Sequence, residues 1–188
     1  MATTKVMTAD DLMQIEDGGF LYELIRGELI RMSPAGGPHG WIGFEAGALI
    51  RDFARPRGLG EVFNAETGYL FEIDPDTVLA PDASFIRTER LPPLRASGGY
   101  LTVVPDLVVE VLSPSDRRSY IDEKIRQYLA VGVKLLWSVD PRRKSVTVYA
   151  PNRDPILLTE DAELDGEDVL PGFRLPVAAL FRRLAADA

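Results

Sequence analysis

The apolar positions of this chain follow two rhythms, a period of about 3.6 in some stretches and of 2 in others. Changes between the two mark out its elements. The run over residues 107–112, inside PDLVVEVLSPSD, is apolar and bounded by proline, aspartate and serine, and it predicts a short buried strand. Alternation places Asp106, Val108, Glu110 and Leu112 on one face of it, and Leu107, Val109 and Val111 on the other. Glu110 breaks the run. A carboxylate inside a buried strand is costly unless it is paired or holds a metal. Glu110 is therefore either half of a structural ion pair with a Lys or Arg, or part of a functional site.

Before this strand, Thr8-Ala-Asp-Asp11 predicts a short helix with Thr8 as N-cap and acids in its first turn, ending near Asp17-Gly18-Gly19. In YELIRGELIRMSP the sequence Glu-Leu-Ile-Arg occurs twice around Gly27, which predicts a hairpin of strands 22–26 and 28–32. Its turn falls at Arg26-Gly27, although arginine is a poor residue for the positive φ of a tight turn. After SPAGGP, residues 39–54 have helical spacing, with Trp41, Phe44, Ala48 and Phe53 in a broad apolar stripe beside Ile42 and Leu49. Two short strands are predicted over 61–64 and 68–73, then a turn at Asp74-Pro-Asp. A further strand covers 78–87, in which Pro81 marks an edge, a bulge or a start.

Residues 91–100 form a Pro/Gly/Ser-rich loop, long enough to move or to touch a ligand. Beyond the strand at 107–112, a helix is predicted over 119–131, with Ser119 and Asp122 as a capping box and Gly132 as C-cap. Strands follow over 133–139, 145–149 and 155–159, the last paired with its predecessor. An acidic loop over 160–168 leads into LPGFRLPVAALF and a short terminal helix. No repeat or linker divides the sequence, so residues 1–188 read as one mixed α/β domain.

Composition narrows the chemistry. There is no cysteine, which excludes disulfides, thiolate nucleophiles and Cys-ligated zinc. MATTKVMTADDL lacks the apolar core of a signal peptide, and no apolar run is long enough to span a bilayer, so a cytoplasmic location is the expectation. The net charge of −8, from 21 basic and 29 acidic residues, argues against a general binder of the phosphate backbone. It leaves room for a nucleic-acid enzyme with a small basic groove around an acidic metal site. Arginines cluster at 51, 55 and 57, at 87, 90 and 95, at 117 and 118, and at 142 and 143 beside Lys144. Each such cluster is more often a solvated surface than a binding site.

Three charges stand where charge is unwelcome. Asp82 follows Pro81 at a strand start, Glu110 lies inside the central strand, and Lys124 borders the apolar stripe of Ile121, Ile125, Tyr128 and Leu129 on the following helix. Singly, these are a turn aspartate, an ion-pair carboxylate and a snorkelling lysine. Together they suit metal-assisted phosphodiester hydrolysis. Mg²⁺ takes one or two carboxylates plus water and phosphate, and a lysine orients the attacking water or stabilises charge on the phosphate.

The segments YELIRGELIRMSP, APDASFI, PDLVVEVLSPSD, EKIRQYLAVGVKLLWSVDP and LPGFRLPVAALF, taken in order, resemble the Uma-two family of endonucleases, in the PD-(D/E)xK, restriction-endonuclease-like superfamily. The resemblance covers nearly the whole chain. It implies a central mixed sheet flanked by helices, with the N-terminal helix and β-hairpin added. It also implies catalytic residues Asp82, Glu110 and Lys124, with Mg²⁺ (or Mn²⁺ as substitute) held by Asp82, Glu110 and the carbonyl of Val111. The superfamily places its lysine two residues after the acid, where this sequence has Leu112, so Lys124 stands as a migrated equivalent.

Other residues carry smaller expectations. Asp106 reads as a structural turn residue before a second ligand, and Glu23 and Glu28 as solvated hairpin acids before site residues. Glu45 is a further carboxylate of undetermined facing. His39, the only histidine, reads as a capping or surface residue. Tyr128 shares the face of Lys124, and Ser113 and Ser115 suit loop and cap bonding better than nucleophilic catalysis. The leading reading is a Mg²⁺-dependent DNA endonuclease acting through a water, with a homodimer expected for duplex cutting; LPVAALF suits an interface and the core equally well. A catalytically inactive nuclease fold used as a binding or assembly module stays open, and the acidic net charge favours it. An enzyme acting on a small phosphate ester ranks last.

Overall fold

Pro81 divides the apolar run over 78–87 into two strands of different sheets, and much of the architecture follows from that division. The computed structural model describes residues 6–16, 20–72, 74–93, 99–114 and 116–185. Its strands are β1 (Leu21–Ile25), β2 (Glu28–Met32), β3 (Gly60–Asn64), β4 (Tyr69–Glu72), β5 (Thr77–Leu79), β6 (Ala83–Arg87), β7 (Leu107–Val111), β8 (Leu135–Asp140), β9 (Ser145–Tyr149), β10 (Ile156–Leu158), β11 (Glu163–Asp165) and β12 (Arg174–Pro176). Its α-helices are α1 (Ala9–Met13), α2 (Gly37–Ala54), α3 (Arg118–Ala130) and α4 (Arg182–Ala185).

A four-stranded antiparallel sheet has the order β2-β1-β5-β4, and a six-stranded mixed sheet the order β10-β9-β8-β7-β6-β3. In the larger sheet β7 and β8 run parallel, joined by α3, and the other pairs are antiparallel. This is the central mixed sheet flanked by helices that the sequence implied. Pro81 has no N–H to offer a ladder. The chain therefore leaves the small sheet after β5, crosses at Ala80-Pro81-Asp82, and enters the large one at β6. The strands predicted at 61–64 and 68–73 likewise fall in different sheets, and residue 73 lies outside the described residues.

All five residues of β7 are buried because both of its faces are covered. On one side, Leu107, Val109 and Val111 pack with Ile42, Ala46 and Ile50 of α2 and with Leu170, Phe173 and Phe181 from the C-terminal segment. On the other, Val108 packs with Ile125 and Tyr128 of α3 and with Ile25 and Leu79 of the small sheet. Val177, Leu180 and Phe181 of LPVAALF are fully buried, so these side chains belong to the core.

Several local expectations are corrected. Both residues of the hairpin turn take positive φ, Arg26 at 50° and Gly27 at 75°, as a two-residue turn with matching twist requires. Arg26 is held there by its N–H donating to Thr77 Oγ1 at 3.0 Å, while Gly27 N–H donates to the Asp76 carbonyl at 2.8 Å. The acidic loop at 160–168 contains β11, which pairs with β12. Helix α3 starts at Arg118 with Arg117 as N-cap and no side-chain cap, so Ser119 and Asp122 form no capping box. Instead, Asp116 Oδ2 closes the preceding loop by accepting from Ser113 N–H at 2.7 Å. At α1 the Thr8 cap is present as a capping box with Asp11. Helix α1 ends at Met13 with Gln14 as C-cap, short of the end predicted near residues 17–19; those residues, residues 94–98 of the predicted loop, and Ser115 lie outside the described residues. Among the described residues no helix is long and apolar enough to cross a membrane.

Asp106 is structural. Fully buried, it accepts from Arg87 N–H at 3.0 Å and from Arg90 Nη1 at 2.5 Å, tying the end of β6 to the start of β7. Asp106→Ala leaves both donors short of a partner and is expected to cost about 2–3 kcal/mol in urea unfolding. A loss under about 0.5 kcal/mol contradicts this account.

Candidate active site

The register of β6 on β7 brings two predicted acids together. Ala83 pairs with Val109 and Ser84 with Val108, so the same ladder carried one residue further sets Asp82 level with Glu110. Asp82 stands at the open end of that ladder, where Pro81 has just released the chain. Its Oδ2 accepts from Val111 N–H at 2.7 Å, fixing the carboxylate against β7 one residue past Glu110.

Lys124 reaches Glu110 from α3. Its Nζ lies 2.8 Å from Glu110 Oε1 and donates to Oε2 at 2.9 Å. Tyr128, one helical turn along and on the same face, donates to Oε1 at 2.6 Å. At 3% exposure Lys124 lies within the buried stripe of α3 and not at its edge. The ammonium thus meets the strand carboxylate without a lysine at position 112.

Glu23 corrects the reading of hairpin acids. It is buried, with Oε1 3.0 Å from Lys124 Nζ and accepting from Ala80 N–H at 2.9 Å, while the Tyr120 hydroxyl donates to Oε2. Glu23 thereby links Lys124 to the crossing segment that carries Asp82. A signal for it existed: Glu23 lies two residues from Ile25, on the strand face that packs toward α3. Glu28 is exposed, as expected, and Glu45 pairs with Arg182 at 3.2 Å.

Burial governs the electrostatics. Desolvation raises the Glu110 carboxyl to about 7 against the pull of Lys124, with Asp82 and Glu23 adding to the rise. Desolvation likewise raises Asp82 to about 6, opposed by the Val111 N–H and Lys124 and reinforced by Glu23 and Asp116. Burial works to discharge Lys124, but the carboxylates of Glu110 and Glu23 outweigh it and hold the ammonium well above its ordinary value. Two acids thus contact one lysine, and its charge also acts on Asp82.

His39 also turns toward this cluster. It lies in the first turn of α2 with Nε2 3.5 Å from Asp82 Oδ2, and burial lowers its imidazole below the usual histidine value. The sequence predicts a capping or surface role for it, and the structure instead places it beside Asp82. Arg87 and Arg90 serve the fold: Arg87 donates to the Asp168 and Val169 carbonyls, and Arg90 holds Asp106. Arg95 is outside the described residues.

The model of the Uma2 family, described as "Putative restriction endonuclease", matches residues 9–178. A crystal structure described as "a putative nuclease belonging to DUF820" from Anabaena variabilis ATCC 29413 superposes with a TM-score of 0.83 at 23% identity. The match covers 95% of this chain and 99% of that one, which shows a shared fold. None of the curated proteins matches.

Proposed function

The chain belongs to the Uma2 family, whose description supports a nuclease function, and we propose that it is a Mg²⁺-dependent DNA endonuclease. The observation that carries this reading is the convergence of Asp82 and Glu110, two desolvated carboxylates, with a single buried lysine. Such a cluster lacks positive charge, and its hard oxygen donors suit Mg²⁺ or Mn²⁺. Among the described residues no three His, Asp and Glu side chains converge as a ready ligand set. The ligands in this reading are accordingly two carboxylates, the Val111 carbonyl and water, which is an ordinary magnesium set.

When bound, the cation lowers the pKa of a water and offsets charge on the phosphate. Asp82, fixed by the Val111 N–H and 17% exposed, is the acid that meets solvent and substrate. Glu110 lies behind it, held by Lys124 and Tyr128. Lys124 keeps its proton, and its ammonium favours negative charge growing on the scissile phosphate. The water oxygen forms the new P–O bond as the P–O bond to the leaving oxygen breaks, the proton given up by the water ends on that leaving oxygen, and no protein side chain is esterified. One such site cuts one strand, so duplex cutting makes a homodimer part of the proposal.

The second reading, a nuclease fold serving as a binding or assembly module, draws on one observation. Both oxygens of Glu110 are already engaged by Lys124 and Tyr128, as in a self-contained ion pair.

Thermal unfolding with Mg²⁺ and Mn²⁺, for wild type and Glu110→Gln, separates the two. Folded Asp82 and Glu110 hold their protons more tightly than the unfolded values of 3.8 and 4.5 allow. The stability they give the metal-free protein is thus full below about pH 4 and lost as pH rises through about 6 and 7. Metal affinity grows over the same window, because protons compete for the same oxygens. At pH 8 and about 100-fold over the Kd, wild type is expected to gain roughly 5–10 °C in Tm. The gain should shrink at pH 5.5 and in Glu110→Gln. Equal responses of the two proteins, or none, favour the binding module.

A further inference from the structure

We propose that His39 is a nitrogen ligand of the cation at this site, so that the site selects a first-row transition ion such as Mn²⁺ over Mg²⁺. The inference rests on the endonuclease reading and deepens it by naming a ligand and a cation class.

Three features of the molecule support it. The first is spacing. His39 Nε2 is 3.5 Å from Asp82 Oδ2, whereas N–H···O hydrogen bonds run to about 3.2 Å. Two donors about 2.1 Å from one cation lie about 3.0 Å apart at a right angle and about 3.5 Å apart at roughly 113°, so the separation lets both reach one cation. The second is convergence. The imidazole also lies beside the main chain of Val111, the residue proposed to give its carbonyl to the metal. It therefore stands near two of the donors proposed for the metal. The His39 and Asp82 side chains are each 17% exposed, so an ion from solution reaches this pair before the buried Glu110 and Lys124.

The third is the helix that carries the imidazole. Gly43 lies four residues along from His39, on the same face of α2, and a Cβ there would come within 3.3 Å of Asp82 Cβ. Gly47, another turn on, would meet Ala83 Cβ at 3.4 Å. Two glycines inside one helix weaken it relative to alanine. Here they let the backbone of α2 press onto the start of β6, which is what delivers His39 to Asp82.

The chemistry of selection follows. Mg²⁺ prefers oxygen ligands and keeps much of its water, while imidazole nitrogen favours first-row transition ions. One imidazole in place of a water, beside the two carboxylates and the Val111 carbonyl, therefore shifts the balance away from Mg²⁺.

Mn²⁺ added to the full chain is the probe. Because His39 is the only histidine, a directly coordinated ¹⁴N coupling in the pulsed EPR spectrum of the Mn²⁺-loaded wild type reports on it alone. That coupling is expected in the wild type and absent from His39→Gln. By titration calorimetry, the ratio of Mn²⁺ to Mg²⁺ affinity is expected to fall at least about tenfold in His39→Gln. Mn²⁺ bound to wild type without a ¹⁴N coupling overturns the assignment of His39 and leaves the carboxylate reading standing; this arm needs no variant to fold. A coupling with an unchanged affinity ratio overturns the claimed selectivity. Failure of both cations to bind wild type overturns the endonuclease reading and this inference together.

Discussion

Lys124→Met lowers the unfolding free energy by about 3–5 kcal/mol at pH 8 and by clearly less at pH 5. Among the described residues Lys124 is the one buried cation, and its Nζ faces Glu23 and Glu110 at 3.0 and 2.8 Å. Methionine fills much of the same volume, so the loss measures charge more than packing. Without the ammonium, the Glu110 carboxyl, already raised by burial, rises further and folds best in its neutral form. A group with a raised folded pKa stabilises below its unfolded value, here 4.5, and that contribution is lost as pH rises through the folded value. The deficit of the variant therefore widens from pH 5 to pH 8. Urea unfolding at the two pH values, with m unchanged, reads this directly. A deficit below about 1 kcal/mol at pH 8, or one independent of pH, means Lys124 is not compensating buried carboxylate charge.

Asp82→Asn tests catalysis without breaking the fold. An asparagine oxygen can still accept from Val111 N–H, so the local geometry has no reason to change. Cleavage of supercoiled plasmid DNA with Mn²⁺ is expected to fall roughly 10²–10⁴-fold, the range for removing a group that holds or stabilises transition-state charge. Metal-free stability at pH 8 is expected to hold or rise, because one of three crowded acids has lost its charge. Loss of activity with loss of folding leaves Asp82 a structural residue. Activity within about threefold of wild type, in a folded variant, removes it from the site.

Much of the secondary structure was legible because it depends on local chemistry. Alternation around Glu110 assigned β7 and its two faces, and both faces pack as that pattern requires, with Val109 toward α2 and Val108 toward α3. The Thr8 cap and the pairing of residues 156–158 with β9 also follow from neighbours in sequence. Ser119 misled, because a capping residue acts only if the chain enters the helix at that point, and α3 starts at Arg118. The break at Pro81 was visible, but its consequence was not: a missing N–H ends a ladder, and only the sheets decide where the chain goes next.

The sequence by itself determined most of the central strands and helices, and that Asp82, Glu110 and Lys124 carry charge where apolar neighbours make charge costly. Tertiary structure alone decided which groups answer those charges. Glu23 lies 87 positions before Glu110 and 101 before Lys124, and His39 lies 43 before Asp82, separations that hold no periodic signal. Glu23 reaches Lys124 because β1 joins a sheet packed against α3, and His39 reaches Asp82 because two glycines let α2 close on β6. The physical reason is that desolvation is written in local hydrophobicity, whereas Coulomb energy and hydrogen bonds depend on distances of a few ångströms that only the packed chain fixes.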